Sequence, residues 1–203
     1  GTVIHTGDFK IDVTPISGGM MDLVRLGELG NQGVLALLAD STNVEKPGHS
    51  ESESKVGVGF NKLFLGCDKR IIITTFASNV HRLQQIIDVA VKYGRKVAVS
   101  GRSMENILKV GVELGYLKLD QKMMVPIEEI SHVPDNQLVI MTTGSQGEPF
   151  SGLVMMSRGE HHMVTLGEHD AVFLLASVIP GNEKLVNNTI NRLFAQGCEV
   201  VYE

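Results

Sequence analysis

Residues 71–92 read Ile71-Ile-Ile-Thr-Thr-Phe-Ala-Ser-Asn-Val-His-Arg-Leu-Gln-Gln-Ile-Ile-Asp-Val-Ala-Val-Lys92, and two periods meet within them. Residues 71–76 are apolar or β-branched over the length of a strand, as a strand covered on both faces requires. After Ala77 the spacing changes. Leu83, Ile86, Ile87 and Ala90 fall on one side of a 3.6-residue helix, and His81, Gln85, Asp88 and Lys92 on the other. A strand followed by an amphipathic helix is the first half of a βαβ unit, so the fold turns on whether the unit recurs.

The alternation continues in both directions. Strand-length apolar runs occupy residues 34–39, 96–99, 138–142, 171–176 and 199–202, and helical spacing runs through 55–65, 104–114 and 185–194. Parallel strands need a crossover, and the crossover is usually a helix. The expected fold class is therefore α/β, an open, mostly parallel sheet with helices on both faces. A short strand at residues 2–5 comes first, followed by Gly7-Asp8-Phe9-Lys10 and turn material around Pro15 and Ser17-Gly18-Gly19. Residues 121–135, interrupted by Pro126 and Pro134, are expected to form a strand, a short helix and a loop. Internal repeats, low-complexity tracts and long charge runs are absent from the sequence.

Composition narrows the function classes. With 203 residues and 43% hydrophobic content, the chain can bury one sizeable core. The formal net charge of -5 argues against coating nucleic acid by bulk electrostatics, so any such contact must be local. No apolar run approaches the roughly 18 residues of a membrane span. A basic segment followed by an apolar stretch and a small-residue cleavage site is also missing, and a cytoplasmic protein is expected. Cys67 and Cys198 stand far apart, and the expectation is two buried, reduced thiols. The sequence opens on Gly1-Thr2-Val3-Ile4 and closes on Val200-Val201-Tyr202-Glu203, which reads as a strand cut short, so both ends are expected to lie inside a longer chain.

In an open parallel sheet, ligands bind beyond the carboxyl ends of the strands. Five loops follow strands here: Asp40-Ser41-Thr42-Asn43, Ala77-Ser78-Asn79, Ser100-Gly101-Arg102-Ser103, Gly144-Ser145-Gln146-Gly147-Glu148-Pro149 and Ser177-Val178-Ile179-Pro180-Gly181-Asn182. All are rich in small hydrogen-bonding residues. Ser78 or Asn79 can cap the following helix and leave its first N–H groups to an anion, with His81 and Arg82 as added donors. An ordinary cap with two exposed helix residues fits the same pattern. Gly144 and Gly147 around Ser145-Gln146 fit either close approach to a ligand or a plain turn.

Asp8, just after a strand, is either a turn residue or a carboxylate placed to hold a metal. The sequential pair His161-His162 would point to opposite sides of a strand and chelate one ion poorly, and His169 stands apart. Neither HxHxDH nor HExxH occurs, and a catalytic zinc centre takes three protein ligands, so the residues alone make no complete metal site. Dinucleotide and Walker phosphate motifs are missing too, which disfavours enzymes of those types.

The segments 1–10, 38–43, 75–85, 94–105 and 143–149, in this order, resemble the ribonuclease J family of β-CASP proteins, within the metallo-β-lactamase superfamily. The resemblance covers essentially the whole chain. It implies that residues 1–18 end a metallo-β-lactamase domain and that 19–203 form most of an inserted β-CASP domain, truncated at its C-terminal end. By the same resemblance Asp8 bridges two zinc ions and Asp40 supports that catalytic site from the side. Ser78, Asn79, His81 and Arg82 would hold the backbone or terminal phosphate of RNA, with Gly144, Ser145, Gln146 and Gly147 lining the channel. The implied enzyme is a zinc-dependent ribonuclease of RNA decay and maturation, ribosomal RNA included. It would act on single-stranded RNA from a 5′-monophosphate end and also internally, as a homo-oligomer or with a related subunit. The remaining metal-ligand motifs are absent, so this chain by itself is expected to be inactive with zinc absent or weakly bound. Two alternatives come from the residues: a non-catalytic Rossmann-like module that binds a phosphate or nucleotide, and an oligomerisation domain.

Overall fold

Apolar strands organise the chain into two parallel sheets. The computed structural model describes residues 1–203 apart from Ser17, Asn43, Lys46, Glu51 and Glu203, and apart from the side chains of Val56 and Val58. Ser17 of the expected turn and Asn43 of the first expected loop thus lie outside the described residues. By compactness the chain divides into Gly1–Gly59 and Phe60–Glu203.

In the first unit, β1 (Thr2–His5), helix α1 (Leu23–Gln32) and β2 (Val34–Leu38) follow one another, and β1 pairs with β2 in parallel, His5 opposite Leu38. Helix α1 was not anticipated from the sequence, because Gly27 and Gly30 lower its helix propensity and break up its apolar spacing. Its N-cap is Asp22, whose carboxylate accepts from the Arg25 N–H at 2.8 Å. No described residue of this unit is buried. The expectation that the apolar run at 34–39 is covered on both faces is corrected here: Leu37 is 62% and Leu38 50% exposed, although successive strand residues face opposite sides. The expected domain boundary at residue 18 falls inside this unit, between its two paired strands.

Helix α2 (Ser54–Phe64) spans the division between the units. The second unit then runs β3 (Arg70–Thr74), α3 (Val80–Lys92), β4 (Lys96–Ser100), α4 (Arg102–Glu113), β5 (Leu138–Thr142), α5 (Gly152–Ser157), β6 (Asp170–Leu174), α6 (Glu183–Ala195) and β7 (Glu199–Tyr202). Its sheet is parallel throughout, in the order β4-β5-β3-β6-β7. The α/β class with a parallel sheet is as the sequence implied. Helix α5 was not foreseen, since six residues are too few to display a period.

Alternation along the strands splits the core in two. Ile72, Ala98, Ile140 and Val172 point to one face, where they pack with Leu153 and Met156 of α5 and Val186, Ile190 and Leu193 of α6. The intervening Ile71, Ile73, Val97, Val139, Met141 and Phe173 point to the other face. Helix α3, whose buried Leu83, Ile86, Ile87 and Ala90 lie outside the first cluster, covers that second face, as right-handed crossovers require when the chain steps from β3 to β4 and later from β6 to β7 in opposite directions.

The amino-terminal edge of this sheet is clamped by charge. Arg70 meets Asp170 through two bonds of 2.6 and 2.9 Å, and the Asp170 side chain is 1% exposed. Arg95, also buried, donates to the carbonyls of Cys67, Lys69 and Leu138 and lies 5.9 Å from the Phe64 ring. Cys198 is buried as expected, and burial, reinforced by nearby Asp170, pushes its thiol up to about 11. Cys67 is only half-buried, a correction to the expected pair of buried thiols.

Between α4 and β5, residues 121–137 form three short 3-10 turns. The expected strand in this stretch is reduced to one parallel bridge, Val97 with Met124. Pro126, two residues on, has no N–H to continue the ladder.

Candidate functional site

The five strands of the second unit end in step, with Ser100 opposite Thr142, Thr142 opposite Thr74, Thr74 opposite Leu174 and Leu174 opposite Tyr202. Their following loops therefore start along one edge. β3 and β6 are neighbours whose following helices lie on opposite faces, the switch point at which such sheets usually form a ligand crevice. The buried hydroxyls of Thr74 and Thr75, at the end of the central strand, have no hydrogen-bond partner in the protein, an unusual condition for buried polar atoms.

Around this crevice the expected residues divide into two kinds. Asn79 caps α3, its side-chain oxygen accepting from the Arg82 N–H at 3.1 Å. Ser78 and His81 are exposed beside it. Arg82 reaches across the crevice, where Nη1 donates to the Leu175 carbonyl just beyond β6 at 2.6 Å. Its guanidinium thereby ties the β3 loop to the β6 loop.

The loop after β5 is held from within. Ser145 is 2% and Gln146 3% exposed. Gln146 donates through Nε2 to the Ser177 carbonyl at 3.1 Å and accepts at Oε1 from the Ile179 N–H at 2.8 Å. Its amide thus fastens the β5 loop to the β6 loop from both ends. Glycine is required at two positions here. Gly144 has φ 111° and a Cβ would lie 2.4 Å from Ser151 Oγ; Gly147 has φ 74° and a Cβ would lie 2.7 Å from the Leu185 carbonyl carbon. The solvent-facing part of this loop is Glu148, Pro149 and Phe150.

A feature that sequence reasoning passed over is the contact of Ser100 with His161, Oγ to Nε2 at 2.8 Å. Nδ1 of the same ring accepts from the N–H groups of Met163 and Val164 at 3.2 and 3.1 Å. With Nδ1 accepting, Nε2 carries the proton and donates it to Ser100, the reverse of what a general base for a serine nucleophile would do. Burial, and after it the neighbouring His162, holds His161 below its ordinary range. The pair positions the 158–166 loop on the end of β4. No sequence spacing could have disclosed it, since the partners are 61 residues apart.

In the unit Gly1–Gly59, the loops after β1 and β2 are tied at their starts. Thr6 Oγ1 donates to the Gly7 carbonyl at 2.6 Å and accepts from the Asp40 N–H at 3.2 Å. The Asp40 carboxylate accepts from the Thr42 N–H and hydroxyl at 2.9 and 2.7 Å, which holds it below the usual carboxylate range; a weaker bond from the Phe9 N–H adds to this. Phe9 follows Asp8 directly, so the two expected carboxylates share one corner of this unit. Among the described residues no three His, Cys, Asp or Glu side chains group to hold a metal, whereas a zinc centre takes three or four ligands. The residues present therefore do not fit a zinc site by themselves. No helix among the described residues is long and apolar enough to cross a membrane.

Residues 68–193 match the family model described as "Ribonuclease J, beta-CASP domain". Among curated proteins, the chain is similar to a protein named Ribonuclease J from Synechocystis sp., 46% identical over all of this chain and 32% of the relative. It is similar also to Ribonuclease J of Thermus thermophilus, 45% identical over all of this chain and 35% of the relative, and to that of Mycolicibacterium smegmatis, 47% identical over 99% of this chain and 36% of the relative. The chain thus spans about a third of the length of the curated relatives it matches.

Proposed function

The chain belongs to the ribonuclease J β-CASP family, and on that premise we propose that it forms the RNA-gripping part of a zinc-dependent ribonuclease. The enzyme hydrolyses single-stranded RNA in the 5′-to-3′ direction from a monophosphorylated end, and cuts internally as well. The observation that carries this reading is the crevice edge. Ser78 and His81 stand exposed at the capped start of α3, where the positive end of the helix dipole favours an anion, and Arg82 braces the same loop. The negative net charge agrees with a channel of few donors that admits one strand, in place of a basic face for duplex.

Asp8 would give one carboxylate to the metal centre, with Asp40 beside it, and further ligands would come from beyond the described residues. The uncovered strands β1 and β2 are consistent with a sheet that continues in such a domain. The chain alone is accordingly expected to bind zinc substoichiometrically and to leave RNA intact. Binding of labelled single-stranded RNA with a 5′-monophosphate, compared with a 5′-hydroxyl oligomer and a duplex, tests the grip, and elemental analysis tests the metal. Equal affinity for all three RNAs, or tight binding of a free mononucleotide with no preference for the oligomer, would set the reading aside in favour of a small-molecule module.

A further inference from the structure

Phe150 is 92% exposed, more than any other large apolar side chain among the described residues. The backbone turn that carries it is nevertheless fixed. The turn that carries it is closed by the Ser151 N–H donating to the Glu148 carbonyl at 3.0 Å, by Ser151 Oγ donating to the same carbonyl at 2.7 Å, and by the Glu148 carboxylate accepting from the Gln146 N–H at 3.1 Å. Behind Gln146 the turn is fastened to the β6 loop. An aromatic ring presented to water on a hydrogen-bonded turn forgoes the burial that apolar side chains usually gain, and such surfaces mark binding sites.

The ring lines a cavity of about 290 Å³ at the carboxyl end of β4, together with Arg102, Glu105, His162 and Met163. Arg102 and His162 are exposed, so a positive charge and a second flat ring stand near Phe150. Apolar face, cation and hydrogen-bonding groups side by side match the parts of a nucleotide: a base to stack, a phosphate to pair, a base edge to read. Ile127, Met155 and Met163 add apolar surface to the same cavity, beside the charged Arg102 and Glu105.

We propose that Phe150 is a stacking platform for one unpaired base of single-stranded RNA, with Arg102 taking the adjoining phosphate and Glu105 accepting an N–H from the base edge. This rests on the RNA-binding reading above and adds to it a particular subsite on the β5 loop. Stacking does not select a base, so the platform serves any sequence. A duplex keeps its bases stacked internally and offers it nothing.

The chain contains no tryptophan, so Phe150→Trp introduces a single emitter at the platform. Titration of this variant with a short 5′-monophosphorylated oligouridylate is expected to quench its emission in step with the anisotropy of the labelled oligomer, and an RNA duplex is expected to leave it unchanged. Phe150→Ala, a change at an exposed position that leaves the fold intact, should weaken oligomer binding about 5- to 100-fold, whereas Phe150→Tyr should keep it. Arg102→Gln should reduce the salt dependence of binding by about 0.7 in the log–log slope, and Phe150→Ala should not change that slope. If wild type and Phe150→Ala bind the oligomer equally, the platform is overturned while the wider RNA-binding reading stands. If the wild-type chain binds no oligomer, both fall. A concentration-dependent mass abolished by Phe150→Ala, with RNA affinity unchanged, would make Phe150 a protein contact and likewise overturn the platform.

Discussion

The two parallel sheets are built from similar residues and meet opposite fates. Ile71, Ile72 and Ile73 of β3 are each 0% exposed, whereas Leu35 and Leu37 of β2 are 77% and 62% exposed. Apolar content therefore does not decide burial. A parallel strand becomes core only when helices cover both of its faces, and the five-strand sheet has α3 on one face and α5 with α6 on the other. The β1–β2 pair has no such layers among the described residues, and it carries the expected metal-side carboxylates. One region supplies stability and a rim of loops; the other presents an apolar surface that calls for cover.

Measurements can strain this contrast, and the largest effect should come at the clamped edge. Asp170→Ala leaves the Arg70 guanidinium without its buried partner and should cost about 3–5 kcal/mol in urea unfolding. A loss below about 1 kcal/mol, the size of an exposed pair, would mean that the clamp is solvated. Next, Ile72→Ala removes packing between the sheet and α5–α6 and should cost about 2–5 kcal/mol.

The third test uses pH. Burial, and after it His162, holds the folded His161 below its unfolded value of 6.5, so its contribution is complete above pH 6.5 and declines as the pH falls through the folded value. Unfolding followed between pH 7.5 and 5, a range set roughly by the ordinary titration of histidine, should show a modest acid loss that His161→Gln abolishes. An undiminished acid loss in the variant would assign it to other groups. The smallest effect belongs to the open sheet: Leu37→Ala should shift stability by no more than about 0.5 kcal/mol. Should it cost as much as Ile72→Ala, the β1–β2 faces are covered in solution and the contrast between the sheets collapses.

Much of the architecture could be read before the structure, and the misses have causes. The strands and the amphipathic helices α3, α4 and α6 announced themselves through local period. Helix α1 did not, because glycines interrupt it, nor did α5, which is shorter than two helical turns. Among the site residues, Asn79 could be read as a cap because capping is local. Gln146 and Arg82 are expected to face a ligand, and the structure adds contacts that spacing does not show, Gln146 with Ser177 and Ile179 and an Arg82 nitrogen with Leu175. Polar side chains at a strand end can serve either a ligand or a neighbouring loop, and spacing does not distinguish these.

By itself, then, the sequence determined the alternation of strand and helix, the parallel sense that follows from it and the small polar residues that end each strand, because those follow from periods of a few residues and from the chemistry of single turns. Tertiary structure alone decided the order β4-β5-β3-β6-β7, the Ser100–His161 and Arg70–Asp170 contacts and the exposed stance of Phe150. Such features depend on which residues, 61 or 100 positions apart, become neighbours when faces are buried. A period records which face of an element is apolar and carries no address for the element that will cover it.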